Sequence, residues 1–491
     1  MTLARADLLP PLDRRLRPLE ADLPEKVLQF GEGNFLRAFV DWMLERMNRQ
    51  GVFSGRAVLV QPIANGLADA LNGQDGLYTV VLRGLERGHA RETNELVSSV
   101  SRCLNPYTDF DAFAACAQNP DLRFVVSNTT EAGIATDPED RLDARPAKSF
   151  PGKLVQLLYA RFRHFQGDPR RGVVMLPCEL IESNGQALER ACRETAERFA
   201  LPAEFLDFLT KACTFTSTLV DRIVTGYPRA EAAQLAEKLG YEDRLLVTGE
   251  LFHSWVIQGP AWLEAELPLR SAGLNVTWTS DVRPYRERKV RILNGAHTML
   301  APAAFLAGKN TVRECMQDPL FRDFVERGIH DEILPTLKLP REELLDFAAA
   351  VVERFDNPFI EHQLSSIALN SVSKYRARIL CTIADHLREQ GTLPPRLTFA
   401  MAALIAFYRG ERPGERYTVH DEPAVLEFFS ELWRSADSES ELVRRVFERT
   451  DFWGRDLNFM LPGFAPAVTE HVCAIRQLGA RAAIERVAHA T

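Results

Sequence analysis

Up to about residue 283, short apolar strands alternate with helical stretches; from Pro284 onward the strands stop. This break constrains the fold more than any other feature. Parallel strands need a crossover between them, and the crossover is usually a helix. Strand–helix alternation therefore folds as a mainly parallel sheet covered on both faces. Strand candidates are the apolar run before Gly31, then residues 57–61, 78–82, 122–127 and 173–177, with helical stretches at 109–118 and 152–165. Beyond 284 come long amphipathic segments at 288–301, 341–354, 370–389, 397–408, 424–435 and 440–449. At 491 residues the chain is too long for one core. We expect an α/β, Rossmann-type, doubly wound domain over 1–283 and a mainly α-helical domain over 284–491. Residues 410–415, Gly-Glu-Arg-Pro-Gly-Glu, read as a surface turn between two helical pieces.

Charge and cysteine usage exclude several functions. The net charge is -8 and no basic stripe offsets it, which argues against nucleic acid or an anionic membrane as partner. Small anions need only a local cationic pocket and stay open. No apolar run approaches the roughly 20 residues that span a bilayer. The start, Met1 to Asp7, is charged and followed by Pro10-Pro11, with no apolar signal core, so a cytoplasmic location is expected. The eight cysteines form no C-x-x-C pair and the ten histidines no H-E-x-x-H, so neither a disulfide frame nor a metal is expected.

A strand running into Gly31-x-Gly33 and then a helix is the start of a dinucleotide fingerprint, or an ordinary corner. In the first reading Gly31 permits the tight turn and Gly33 lets the backbone approach a pyrophosphate. Leu36 stands where a third glycine is usual. The second strand ends in Gln61, where a carboxylate normally holds the ribose, and no arginine follows in 62–65, which favours NAD over NADP. The polar loop from Ser127 to Gly133 follows another strand; it is a cofactor loop or a simple Asn/Thr turn.

Residues 289–297, Lys-Val-Arg-Ile-Leu-Asn-Gly-Ala-His, carry the chemistry. Reducing a ketone takes a proton donor near the oxygen, neutral donors for the developing charge and groups that hold neighbouring hydroxyls. On an α-helix, Lys289, Asn294 and His297 span an arc of about 140° with His297 in the middle, wide for one face. Lys289 is either a solvated lysine among Arg286, Arg288 and Arg291 or an acid/base whose pKa those cations and burial lower. His297 is a rival acid/base or a core histidine. Asn294 and Gly295 are poor helix formers inside a strong apolar pattern, which points to a site. Asn184-Gly185 is a turn or a second site amide. Asp221-Arg222, set among apolar residues, is a structural ion pair or an anchor near the site.

Several stretches together resemble the polyol-specific long-chain dehydrogenases, the mannitol dehydrogenase family. They are Gln29 to Phe39, Ser127 to Gly133, Pro177 to Ile181, Thr218 to Val224 and Glu287 to His297. The C-terminal part adds Asn357-Pro358-Phe359, Ala368-Leu369-Asn370 and Ala402 to Gly410. The resemblance covers roughly residues 25 to 480. It implies an NAD(H)-dependent, metal-independent oxidoreductase with Lys289 as catalytic acid/base. Asn184 and Asn294 would be the oxyanion amides, and His297 would orient the substrate. It further implies a substrate contact from Lys374, beside which Arg376 and Asp221 are candidates; the candidate nucleotide contacts are Gly31, Gly33, Asn34, Phe35, Gln61, Thr129 and Glu131. Mannitol-specific members tend to carry acids after a Trp-Val pair and a Cys-Asp-Asn triplet. This chain has Trp255-Val256-Ile257-Gln258 and Cys178-Glu179-Leu180. Fewer acids, with Lys374, Arg376 or Arg378 nearby, favour a small sugar acid. The expectation is interconversion of D-tagaturonate and D-altronate in hexuronate catabolism; fructuronate, mannitol or another polyol, or a non-catalytic nucleotide sensor, are the alternatives. Nothing in the sequence speaks to oligomeric state.

Overall fold

The computed structural model describes residues 9–19, 22–130 and 132–489. The charged start and Glu131 lie outside them. The chain divides into one compact unit of residues 1–83 and 91–282 and another of 84–90 and 283–491.

The first unit is built on a six-stranded sheet. Its order is Val100–Leu104, Arg56–Val60, Glu25–Phe30, Phe124–Ser127, Val174–Pro177 and Thr214–Phe215. Every neighbouring pair is parallel. Counted along the chain within this sheet, the order is 3-2-1-4-5-6, that of dinucleotide-binding folds. Side-chain alternation feeds two cores. Val27 packs with Val40, Met43 and Leu44 on one face. Leu28 and Phe30 pack on the other with Leu154, Leu157 and Leu188, from the helices Phe150–His164 and Asn184–Arg198. Each such side chain, fully buried, contributes about 1.5–3 kcal/mol. Successive crossovers leave Glu25–Phe30 in opposite directions, so a crevice opens between it and Phe124–Ser127, the usual place for a ligand.

Two smaller sheets belong to this unit, apart from residues 84–90. One contains Val224–Gly226, Val247–Glu250, Tyr78–Glu86 and His89–Val97; the other contains Val276–Thr279, Ser254–Gln258 and Ser217–Asp221. Of these, only residues 78–82 read as a strand in the sequence. His89–Val97 is largely exposed at its start and carries His89, Arg91, Glu92 and Glu95, so it lacks the apolar alternation that betrays a strand.

The second unit is helical. Its centre is Gly295–Leu306, all of whose residues are buried, packed on Pro395–Phe407. Helices apolar all round belong in an interior. The buried carboxylate of Glu332 accepts main-chain N–H bonds from Arg396 and Leu397 and so caps Pro395–Phe407. The residue 410–415 turn closes a two-residue hairpin, Glu411–Arg412 against Glu415–Arg416. Residues 84–90 belong with this unit, and the Gly88 amide donates to Glu353. Among the described residues no helix is long and apolar enough to cross a membrane.

Candidate active site

The residues expected to bind a nucleotide gather at the carboxyl edge of the six-stranded sheet. Gly31 has φ +114°, and a Cβ there would sit 3.0 Å from the Asn128 carbonyl oxygen; only glycine fits both demands. A Cβ at Gly33 would meet nothing within 4 Å, so this backbone faces open space at the start of the helix beginning with Asn34. Leu36, in place of a third glycine, is buried. Asn34 is exposed and its Oδ1 accepts from Arg37 at 2.7 Å; Phe35 stacks on Phe39 at 5.0 Å. An open glycine backbone ahead of a helix suits a pyrophosphate.

Gln61 departs from expectation. Its Nε2 donates to the Ile63 and Ala64 carbonyls at 2.8 and 2.9 Å, and its Oε1 accepts from the Ala68 amide at 3.1 Å. Both amide hydrogens shape the following loop, so this side chain is not an open ribose ligand. The sequence reading missed Glu32, whose carboxylate lies beside that loop, with Oε1 3.3 Å from the Leu67 amide and its pKa raised by burial. An acid inside a Gly-x-Gly turn was the available signal.

Thr129 is held rather than free. Its amide and hydroxyl both donate to Glu179 Oε1 at 3.0 Å, while Ser127 donates to Oε2 at 3.0 Å. Glu179 is buried, and desolvation raises its pKa against the lowering effect of these three hydrogen bonds. The loop is tight enough that a Cβ on Gly133 would fall 2.1 Å from Thr129 Oγ1. Glu179 is thus the anchor of the loop from Ser127 to Gly133, which the sequence showed only as a departure from Cys-Asp-Asn.

Asn184 also differs from expectation. Its Nδ2 donates to the carbonyls of Pro177, Glu179 and Thr218 at 2.9–3.1 Å, and its Oδ1 accepts from the amides of Gly185 and Thr218 at 2.9 and 2.8 Å. The side chain is 1% exposed. Two hydrogens already shared among three carbonyls leave no donor for an oxyanion; Asn184 is a clamp between the ends of two strands. Gly185 is required beside it, since a Cβ would lie 2.1 Å from the Thr216 oxygen. Asp221 is buried and pairs with Ser254 in the antiparallel ladder. Arg222 spends its guanidinium on the carbonyls of Ala38, Leu251 and Phe252 and lies over Trp42 at 4.1 Å.

In the second unit the helix carrying Lys289 is not α throughout. Residues Lys289–Asn294 form a π turn between α segments Arg283–Arg288 and Gly295–Leu306, with the Gly295 amide bonded back to Val290. An i→i+5 turn is wider than an α turn, so residues five apart approach the same face. The arc of about 140° expected for an α-helix between Lys289 and Asn294 therefore closes. Lys289 and Asn294 are both half-buried, and the Asn294 amide makes no side-chain hydrogen bond among the described residues. The arginines beside Lys289 are matched by acids: Arg291 with Asp385 at 2.7 Å and Arg288 with Glu343 at 3.9 Å.

His297 is buried, stacks on Phe355 at 4.1 Å and meets His362 edge-on at 4.8 Å. Desolvation, then His362, Arg354, Arg378 and Lys374, hold its pKa well below the usual histidine value. It is a neutral imidazole, able to donate or accept but not to supply a proton from an imidazolium at neutral pH. Lys374 donates to the Ile367 carbonyl at 2.9 Å, and burial lowers its pKa. Arg376 turns away: it is exposed, and its Nη1 faces the Asp451 and Phe452 carbonyls at 3.4 Å. It corrects the expectation of a substrate contact there, because 374 and 376 point to different sides of one helix.

Two family models match. One, the Mannitol dehydrogenase Rossmann domain, covers residues 25–271; the other, the Mannitol dehydrogenase C-terminal domain, covers 281–475. The chain is 52% identical over 466 residues to an altronate oxidoreductase of Cronobacter sakazakii, spanning 94% of this chain and 96% of that one. It is 51% identical over 479 residues to the altronate oxidoreductase of Klebsiella pneumoniae, spanning 96% and 99%. Among solved structures, substrate-free D-sorbitol dehydrogenase superposes with a TM-score of 0.81 at 22% identity, covering 96% of this chain and all of that one. Mannitol 2-dehydrogenase of Pseudomonas fluorescens, solved with NAD and D-mannitol, gives 0.67 at 24%, covering 95% and 94%. These two likenesses speak for the fold.

Proposed function

The chain belongs to the mannitol dehydrogenase family and is a nicotinamide-dinucleotide-dependent dehydrogenase of polyols or sugar acids; on that premise we propose that it interconverts D-tagaturonate and D-altronate with NAD(H). The observation that carries the substrate reading is identity above 50% to altronate oxidoreductases over both domains. Cation placement supports it. Lys374 and Arg378 lie around His297, where an acidic substrate gains and a neutral polyol does not.

The bound dinucleotide supplies or accepts the hydride. Gly31, Gly33 and Asn34 would hold its pyrophosphate side, Glu32 would face a ribose, and the loop anchored through Thr129 by Glu179 would border it. In the reducing direction Lys289 delivers a proton to the oxygen that becomes the new hydroxyl. Asn294, on the same π turn with an open amide, donates to that oxygen as charge builds. Neutral His297, fixed by Phe355, orients a neighbouring hydroxyl, and its low pKa favours Lys289 as the proton donor. Asn184 contributes by clamping its strands; Asp221 is proposed as a substrate contact.

NADH oxidation would be followed with tagaturonate, beside fructuronate, fructose and an NADPH control. Fast turnover on tagaturonate with NADH is the expected result. Turnover only on another ketose moves the substrate, and a preference for NADPH overturns the NAD assignment.

A further inference from the structure

Around the π turn, most cations are already matched. Arg291 and Arg288 have carboxylate partners, and Arg376 faces main-chain carbonyls. Arg378 differs. It is half-buried in the neighbouring π segment Arg376–Leu380 and makes no ion pair among the described residues. Its Nη1 donates to Thr298 Oγ1 at 3.2 Å, and that hydroxyl donates to the Asn294 carbonyl at 2.9 Å. The guanidinium is therefore one hydroxyl away from the turn that carries Lys289 and Asn294. Lys374 and Arg354 add positive charge here, and Asp421, which acts on Lys374, already accepts the Tyr408 hydroxyl.

Leaving a cation half-desolvated with no partner costs free energy. Such a cost is recovered if an anion arrives with the ligand. A guanidinium also presents a planar fork that matches a carboxylate on two atoms, with N–H groups to spare after the Thr298 contact. Lys374 is a point charge already engaged by Ile367, and so is the weaker candidate. We propose that Arg378 is the residue that selects a sugar acid over a neutral sugar, by binding the substrate carboxylate, with Thr298 fixing its position relative to Asn294. This deepens the proposed function and rests on its sugar-acid substrate.

The test separates binding from turnover. NADH-loaded protein is titrated by calorimetry with D-gluconate and, separately, with D-sorbitol, its neutral six-carbon counterpart. The wild type is compared with Arg378→Met, Arg378→Lys and, as control, Arg376→Met. Removing a hydrogen-bonded charge partner should weaken gluconate about 10- to 100-fold in Arg378→Met. Arg378→Lys should recover part of the loss, Arg376→Met should stay near wild type, and sorbitol should bind equally to all four. Arg378→Gln replaces the Met variant should that one fail to fold. Unchanged gluconate binding in Arg378→Met, equal loss of gluconate and sorbitol, or a wild type that binds both alike each overturns the proposal. Tagaturonate turnover distinguishes the two readings. Acid-selective binding without tagaturonate reduction removes the proposed reaction and keeps Arg378 as the selector. Full tagaturonate turnover in Arg378→Met does the reverse.

Discussion

Asn184 and Asn294 are the two amides that the family resemblance treats alike, and the structure separates them. Replacing Asn184 with Ala leaves the Gly185 and Thr218 amides without an acceptor and the Glu179 carbonyl without its side-chain donor; the Pro177 carbonyl keeps the Thr218 hydroxyl. Two orphaned buried N–H groups cost about 1–3 kcal/mol each, so roughly 2–6 kcal/mol in all. At about 2–4 °C per kcal/mol for a unit of this size, its melting transition should fall by roughly 4–24 °C. Asn184→Asp is a sharper probe. It keeps acceptors for both amides but sets a carboxylate against three carbonyl oxygens, and it should be destabilising too. Asn294→Ala removes an amide with no side-chain partner among the described residues and replaces it with a better helix former, so stability should change by less than about 0.5 kcal/mol. Its kcat should fall about 10²–10³-fold, the loss typical of one oxyanion donor. The assay pairs thermal unfolding with steady-state kinetics on each variant. If Asn184→Ala melts with the wild type while losing turnover, the clamp is wrong and the side chain is an open donor after all.

Other expectations follow from the same geometry. Lys289→Ala should cut turnover by orders of magnitude while NADH affinity, followed by fluorescence titration, stays within about threefold; near-normal turnover would remove the proton-donor role. His297 has a folded pKa below its unfolded value near 6.5, so the unfolded chain binds the extra proton first. Stability of the helical unit should be flat above about pH 6.5 and fall as pH drops below it, and His297→Gln should flatten that slope in urea titrations. Glu179→Ala should weaken NADH about tenfold by releasing Ser127 and Thr129, an estimate from three hydrogen bonds of about 0.5–1.5 kcal/mol each that are partly replaced by water; unchanged affinity would detach this loop from the cofactor.

The six-stranded sheet was legible because its strands are apolar runs ending in turn residues, and Gly31 because a positive φ leaves a mark in the residue type. The polar strand His89–Val97 was not, since its partner and not its composition makes it a strand. In the site, residue types were readable but their commitments were not. Gln61 and Asn184 look like ligands in a one-dimensional string, yet both spend their amides on main chain that only folding brings near. Residues two apart on a helix do not share a face, so the spacing of 374 and 376 already separates Arg376 from Lys374. Glu32 and Glu179 carried a weak signal, an acid where phosphate or nucleotide is expected, but their burial came only with the fold.

The π turn at Lys289–Asn294 makes the site depend on counting. A helix with one residue too many for its length keeps working as a helix whichever way the surplus is resolved. Deleting one residue between 290 and 293 would let the turn tighten into regular α geometry, with a more orderly ladder of hydrogen bonds. The same deletion would bring Lys289 and Asn294 to four residues apart, about 40° on an α-helix, so the pair would still share a face; a deletion in the regular helix beyond the turn, with no surplus to absorb it, would instead wind everything on its N-terminal side by about 100°. In that second case Lys289 would keep its identity and its neighbours in sequence while losing its bearing on the rest of the unit. A scan of substitutions would never reveal this dependence; a scan of single deletions would, with turnover kept for a deletion inside the turn and lost for one beside it.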